Sequence, residues 1–137
     1  MALTLRLEIV TPQGLAYGED VERVVLPGIA GELGIYPQHV ALMMELKPGE
    51  LRILKGGQES AFAVGEGFVE ITATHVNILT DMAVAESAID EGSVEKAIER
   101  AQAALKNAQR LDQAEVAALE GSLQKSLVQQ RLKRKQR

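Results

Sequence analysis

The sequence has no cysteine and no tryptophan, and only two tyrosines and two phenylalanines among its 137 residues. Without cysteine there is no disulfide framework, no thiolate zinc site and no thiol nucleophile. With 3% aromatic against 46% hydrophobic residues, the core must be aliphatic and rich in alanine. No apolar run approaches the roughly 18 to 20 residues a spanning helix needs. Nor does the N-terminus carry a charged region followed by an apolar one, as a leader would. The chain is therefore expected to be soluble, with no direct membrane insertion, and held at any membrane by another protein. Basic charge is scarce early on. Residues 1–86 hold 5 Lys and Arg against 12 Asp and Glu, a net of −7, while residues 87–137 hold 10 against 7, a net of +3. The two sums give the overall −4, and they suggest two modules with different partners.

Glycine and proline draw the same boundary. Ten of the twelve glycines lie between Gly14 and Gly67, and the last proline is Pro48. The opening run LTLRLEIV alternates, with Leu3, Leu5, Leu7 and Ile9 on one side and Thr4, Arg6 and Glu8 on the other. A period of two marks a half-buried strand. Similar runs follow in VERVVLP, ELRILK, SAFAV, GFVEIT and HVNILT. Turn signals separate them at Pro12-Gln13-Gly14, Pro27-Gly28, Lys47-Pro48-Gly49 and Lys55-Gly56-Gly57. Many short strands at this spacing predict an antiparallel sandwich or flattened barrel.

After DMAVAES the period changes. Val94, Ala97, Ile98, Ala101, Ala104, Leu105 and Ala108 recur at three and four, a helical stripe with Asp90 or Ser93 as its N-cap. Asp112 followed by Glu115 is a capping-box-like start for a second stripe of Val116, Leu119, Leu123 and Leu127. Gly121 falls inside that stripe and is expected to weaken or bend the helix. The predicted class is α+β: an N-terminal β-sandwich over 1–86 and an antiparallel two-helix hairpin over 87–137. Alanine buries little area, and at about 25 cal/mol per Å² such a hairpin is held loosely, poised between two packings.

Candidate chemistry is sparse. The stretch GELGIYPQH, residues 31 to 39, brackets two glycines, a tyrosine and a proline between Glu32 and His39. It reads as a turn that presents both residues at one face. Nothing nearby supplies a nucleophile or a metal cluster, so neither catalysis nor metal binding follows. His75 reads as an ordinary residue at a strand edge. Nucleic acid is excluded as a partner, because the first module is acidic and lacks an aromatic platform in a positive groove. No Gly-x-x-x-x-Gly-Lys-Ser/Thr phosphate loop is present. The tail RLKRKQR is basic enough to meet an acidic partner surface.

The order TLRLEIVTP, GELGIYPQH, LKPGELRI, GFVEI and VNILTD, then a hairpin opening with IDEGSVEKAIERA, resembles the epsilon subunits of bacterial F-type proton-translocating ATP synthases. The resemblance implies about ten strands followed by two helices, and a non-catalytic rotor subunit with no cofactor of its own. It implies that the sandwich binds the gamma subunit and sits on the ring of c subunits, with Glu32, Tyr36 and His39 at the ring interface. It implies a hairpin that folds against the sandwich or extends along gamma, where it blocks rotation in the hydrolysis direction. Extended, basic residues of the helices would meet acidic segments of the catalytic beta and alpha subunits, and Arg131, Lys133, Arg134 and Lys135 suit such contacts by their charge. The place implied is the cytoplasmic face of the bacterial plasma membrane, as a peripheral part of the complex.

Some members of that family bind ATP through an Ile/Leu-Asp-x-x-Arg-Ala motif on the first helix. Ile89 and Asp90 match it, but Ser93 and Val94 stand at the Arg-Ala positions, and Arg100 matches a further basic position. Counterparts of arginines on the second helix are non-basic, Glu115 among them. Without guanidinium forks to hold a triphosphate, ATP binding is expected to be weak or absent. Gln38 departs from the pattern too, standing where glycine is common. From the residues alone, the other reading is a free-standing ligand-binding sandwich with a dimerising hairpin.

Overall fold

The computed structural model describes residues 3–107 and 111–135. Ten strands come first: β1 (Leu5–Thr11), β2 (Gly14–Val21), β3 (Arg23–Gly28), β4 (Gly31–Ile35), β5 (Leu42–Leu46), β6 (Gly49–Lys55), β7 (Gln58–Val64), β8 (Gly67–Ile71), β9 (His75–Thr80) and β10 (Ala83–Ala85). A 3₁₀ turn, Glu86–Ala88, leads to α1 (Glu91–Lys106) and α2 (Gln113–Lys135). The strands run in the order β10-β7-β6-β3-β5-β8-β9-β1-β2, with β4 paired to β3. This ladder folds back on itself. The Glu22 amide donates to the Leu54 carbonyl at 2.8 Å, and Lys55 pairs with Glu19, so the end of β2 meets β6. The result is a ten-strand near-barrel sandwich followed by a helical hairpin, as predicted. One pairing among the described strands is parallel, β1 with β9.

Alternation explains the core. Leu5, Leu7 and Ile9 of β1 point inward with Val24, Leu26, Leu51, Ile53, Val69, Ile71, Val76 and Ile78. Leu3, expected on the same side, precedes β1 and is 66% exposed. Tyr17 meets Phe62 edge-on with centroids 5.5 Å apart. Burial, then the neighbouring Glu19, pushes the Tyr17 hydroxyl up to about 12. Between β6 and β7, Gly56 and Gly57 both take positive φ (58° and 77°), the paired requirement of a two-residue type I′ hairpin.

Two expected turns are displaced. Pro27 and Gly28 close strand β3, and the chain reverses at Ile29-Ala30, with Gly28 opposite Gly31. Likewise GELGIYPQH is not one turn: Gly31–Ile35 is β4, and a turn follows at Pro37-Gln38. Leu33 and Ile35 do alternate with exposed Glu32 and Gly34, but glycines at two of the five positions hide the pattern.

In the hairpin, Asp90 is the N-cap of α1. Its Oδ1 accepts from the amides of Gly92 (3.0 Å) and Ser93 (3.4 Å), and its Oδ2 accepts from the Ser93 hydroxyl (3.0 Å). The Ser93 hydroxyl first, then the amides, hold the Asp90 carboxyl below its usual range. A lowered folded pKa means the cap acts fully above the ordinary aspartate value and is lost as pH falls through the lower one. Asp90→Ala should therefore speed amide exchange at Gly92 and Ser93 several-fold at neutral pH. In the unsubstituted chain the same protection should be lost only as pH falls below the ordinary aspartate value. Asp112 starts the second helix by accepting from the Glu115 amide at 2.8 Å. Helix α2 runs unbroken through Gly121. The hairpin packs on the sandwich through a second, smaller core of Ala63 from β7 with Ile89, Val94, Ile98, Val128 and Leu132. The α2 stripe thus continues past Leu127, and its buried members are Val128 and Leu132. Ala108 of the first stripe, and Gln136 and Arg137 of the basic tail, lie outside the described residues.

Candidate functional site

Strand β4 carries the first candidate surface. Glu32 sits on its outer face opposite Pro27, with Oε2 3.1 Å from Nη2 of Arg52 on β6. Tyr36, one residue past β4, is 57% exposed. Its hydroxyl, then Glu59 at 2.9 Å, holds the Arg23 guanidinium pKa above its usual value. Arg52 thus pairs with Glu32, and the Arg23 guanidinium on the neighbouring strand is influenced by Tyr36. His39 lies beyond the turn, its Nδ1 2.6 Å from the Val40 carbonyl. A carbonyl only accepts, so Nδ1 carries the proton. Among the described residues no hydrogen bond joins His39 to Glu32. Gln38 between them takes φ of 67°, a left-handed conformation that costs a side-chain-bearing residue about 1 kcal/mol and that glycine adopts freely. Its amide donates to the Ala73 carbonyl at 2.7 Å, fastening this loop to the turn between β8 and β9.

A second surface escaped the sequence reading. On the outer face of β8, β9, β1 and β2, Phe68 lies opposite Leu79, Leu79 opposite Val10, and Val10 opposite Leu15. Met43 of β5 adjoins this row diagonally. Met43 is 70% exposed, Phe68 55%, Leu79 58% and Leu15 60%. Contiguous exposed apolar side chains of this size mark interaction surfaces. A signal was available in GFVEI: with Val69 and Ile71 facing in, a phenylalanine stands on the polar side.

The third surface lies under the hairpin. Lys125 of α2 is 3.2 Å from Asp81, Lys133 is 3.4 Å from Glu86, and Lys135 is 2.9 Å from Glu50. Two of the four tail residues expected to face an acidic partner therefore meet carboxylates of their own sandwich, while Arg131 and Arg134 are exposed. Ile89 is buried in the second core, Asp90 caps α1, and Arg100 is exposed on α1. Ser93, at the arginine position of the nucleotide motif, bonds Asp90 instead. Among the described residues no cluster of histidines and carboxylates could hold a metal ion.

Sandwich, apolar row and docked hairpin define a class: a small two-part protein whose distinctive features are surfaces for other proteins. The family described as "ATP synthase, Delta/Epsilon chain, beta-sandwich domain" matches residues 4–86. The ATP synthase epsilon chain of Alkalihalophilus pseudofirmus is 43% identical over 102 residues, 74% of this chain and 77% of that one. That of Laribacter hongkongensis is 38% identical over 128 residues, 92% of this chain and 90% of the other. Among solved structures, one of the mitochondrial ATP synthase of Euglena gracilis, comprising OSCP, F1 and c-ring, contains a similar chain. It superposes with a TM-score of 0.71 at 26% identity, over 88% of this chain and 76% of that one. The chain belongs to the ATP synthase epsilon-chain family.

Proposed function

We propose that the chain is a non-catalytic central-stalk subunit that couples the catalytic head to the proton-driven c-ring and restrains ATP hydrolysis through its hairpin. The observation that carries the regulatory part is the docked hairpin, whose hold on the sandwich is firm but modest. Burying Val128 and Leu132 contributes about 1.5–3 kcal/mol each, part of it against α1, and surface ion pairs add about 0–1 kcal/mol each. A partner with differential affinity can tip a balance of that size. Residues 1–86 then act as the fixed coupling unit and 87–137 as the moving one. Released from the sandwich, Arg131, Lys133, Arg134 and Lys135 are free to meet acidic surfaces of the catalytic beta and alpha subunits.

Gamma docks on the apolar row through Phe68 and Leu79, which the hairpin leaves uncovered. The c-ring docks at Glu32, Tyr36 and His39. In this reading the chain works at the cytoplasmic face of the bacterial plasma membrane, held by the complex. In keeping with that, no described helix is long and apolar enough to cross a membrane. Docking needs no nucleotide, since Asp90 and Ser93 are occupied with each other. Titration of the chain with ATP in a calorimeter should show no micromolar binding, and micromolar affinity would restore nucleotide control. The coupling role is tested by replacing Glu32 and His39 together with alanine. The isolated variant should stay folded, while ATP synthesis driven by a proton gradient falls severalfold relative to hydrolysis. Intact coupling in that variant would remove the c-ring assignment.

A further inference from the structure

Arg52 stands between two sets of carboxylates. On one side it holds Glu32 at 3.1 Å. On the other it lines a cavity of about 270 Å³ with Glu50, Glu59 and Glu86. Glu59 is held by Arg23 at 2.9 Å. Glu50 and Glu86 are held by Lys135 and Lys133 of the hairpin. With the hairpin docked their side chains are 21% and 26% exposed. Arg52 is the one cation among the residues lining that cavity. It lies two positions from Glu50 on β6, hence on the same face and roughly 7 Å along the strand, within reach of a long flexible guanidinium.

We infer that Arg52 is an electrostatic relay that couples the state of the hairpin to the ring-facing carboxylate Glu32. With the hairpin docked, lysines neutralise Glu50 and Glu86, and Arg52 stays on Glu32. With the hairpin away, Glu50 and Glu86 are left without those cations, and Arg52 turns to them. Glu32 is then released with its full charge for a cationic group on its partner. Linkage makes the effect reciprocal: a cation that takes Glu32 frees Arg52, which competes with Lys133 and Lys135 and favours release of the hairpin. Arg52 is thus a positioning residue that acts through Glu32, and the inference rests on Glu32 facing the ring.

The test uses the full chain, first alone and at low salt. The probes are the Glu32 side-chain carboxyl carbon and the Arg52 Nε–H signals in NMR spectra. Lys133→Gln with Lys135→Gln should shift both. The same pair of changes in an Arg52→Gln background should leave Glu32 unmoved. A Glu32 signal indifferent to the two lysine changes, or equally shifted with and without Arg52, overturns the relay. On membranes bearing the c-ring and gamma, the two lysine changes should tighten binding of the chain about fivefold at low salt. That gain should disappear in Arg52→Gln, and a gain independent of Arg52 would count against the relay. If the relay fails while Glu32→Ala still uncouples the enzyme, the stalk function stands without it. If Glu32→Ala has no effect on coupling, the ring assignment fails, whatever the NMR spectra of the isolated chain show.

Discussion

A chain ending at Ser87 should leave the assembled enzyme hydrolysing ATP about threefold faster or more, roughly 0.7 kcal/mol off the effective barrier. The sandwich can lose the hairpin because it has its own core. Leu5, Leu7, Ile9, Leu51, Ile53 and Ile78 are buried without help from either helix. What truncation uncovers is mild. The sandwich side of the second core is Ala61, Ala63, Met82 and Val84, mostly small side chains. Asp81, Glu86 and Glu50 lose their lysines but regain water. The shortened chain should therefore stay folded, keep its Phe68–Leu79 surface and assemble with gamma. Hydrolysis unchanged by the truncation, in a fully assembled enzyme, would mean that the hairpin exerts no restraint.

Replacing Gly67 with alanine should destabilise the sandwich by about 3 kcal/mol or more, lowering Tm by roughly 12 °C or more. Gly67 opens β8 opposite Thr80. A Cβ at this position would lie 1.8 Å from the Leu79 carbonyl oxygen and 2.8 Å from both the Leu79 carbonyl carbon and the Thr80 Cα. Those are backbone atoms, so no side chain can rotate away, and β8 and β9 must part locally. The same ladder sets Phe68 opposite Leu79 at the centre of the apolar row. Loss of stability should therefore come with weaker gamma binding. Thermal unfolding checks the first effect, and a pull-down with gamma at a temperature where the variant is folded checks the second. A variant as stable as the parent would show that the strand crossing is looser than this geometry.

Much of the architecture is legible in the residues because it rests on local periodicity. The alternation of LTLRLEIV, the paired glycines at 56 and 57, and the switch to a three-and-four repeat after Glu86 each encode an element directly. Strand β4 is not legible, since glycines at 31 and 34 remove two of its five side chains, and it pairs only with β3. The apolar row is assembled from β8, β9, β1 and β2, and no single segment contains it. The charge split shows the opposite case, with a visible signal and an incomplete reading. An acidic front and a basic back suggest separate partners, yet Lys125, Lys133 and Lys135 meet Asp81, Glu86 and Glu50 of the same chain. Lys135 and Glu50 are 85 positions apart, beyond any pattern rule. The dimerising hairpin loses part of its motive, because Leu123, Leu127, Val128 and Leu132 of α2 pack in the core that holds Ala63 of the same chain. The glycine common at the position of Gln38 acquires a cause in the left-handed backbone there.

The central claim is that the hairpin leaves the sandwich when the enzyme is to be restrained. Since the chain has no cysteine, two can be introduced at the exposed positions Gln58 and Gln124 and spin-labelled without ambiguity. Pulsed electron paramagnetic resonance then gives the distance between β7 and α2 directly. A single short distance is expected in the isolated chain. In the assembled enzyme held at low ATP, a second and clearly longer distance should join or replace it. One short distance under every condition, with hydrolysis still restrained, would contradict the claim.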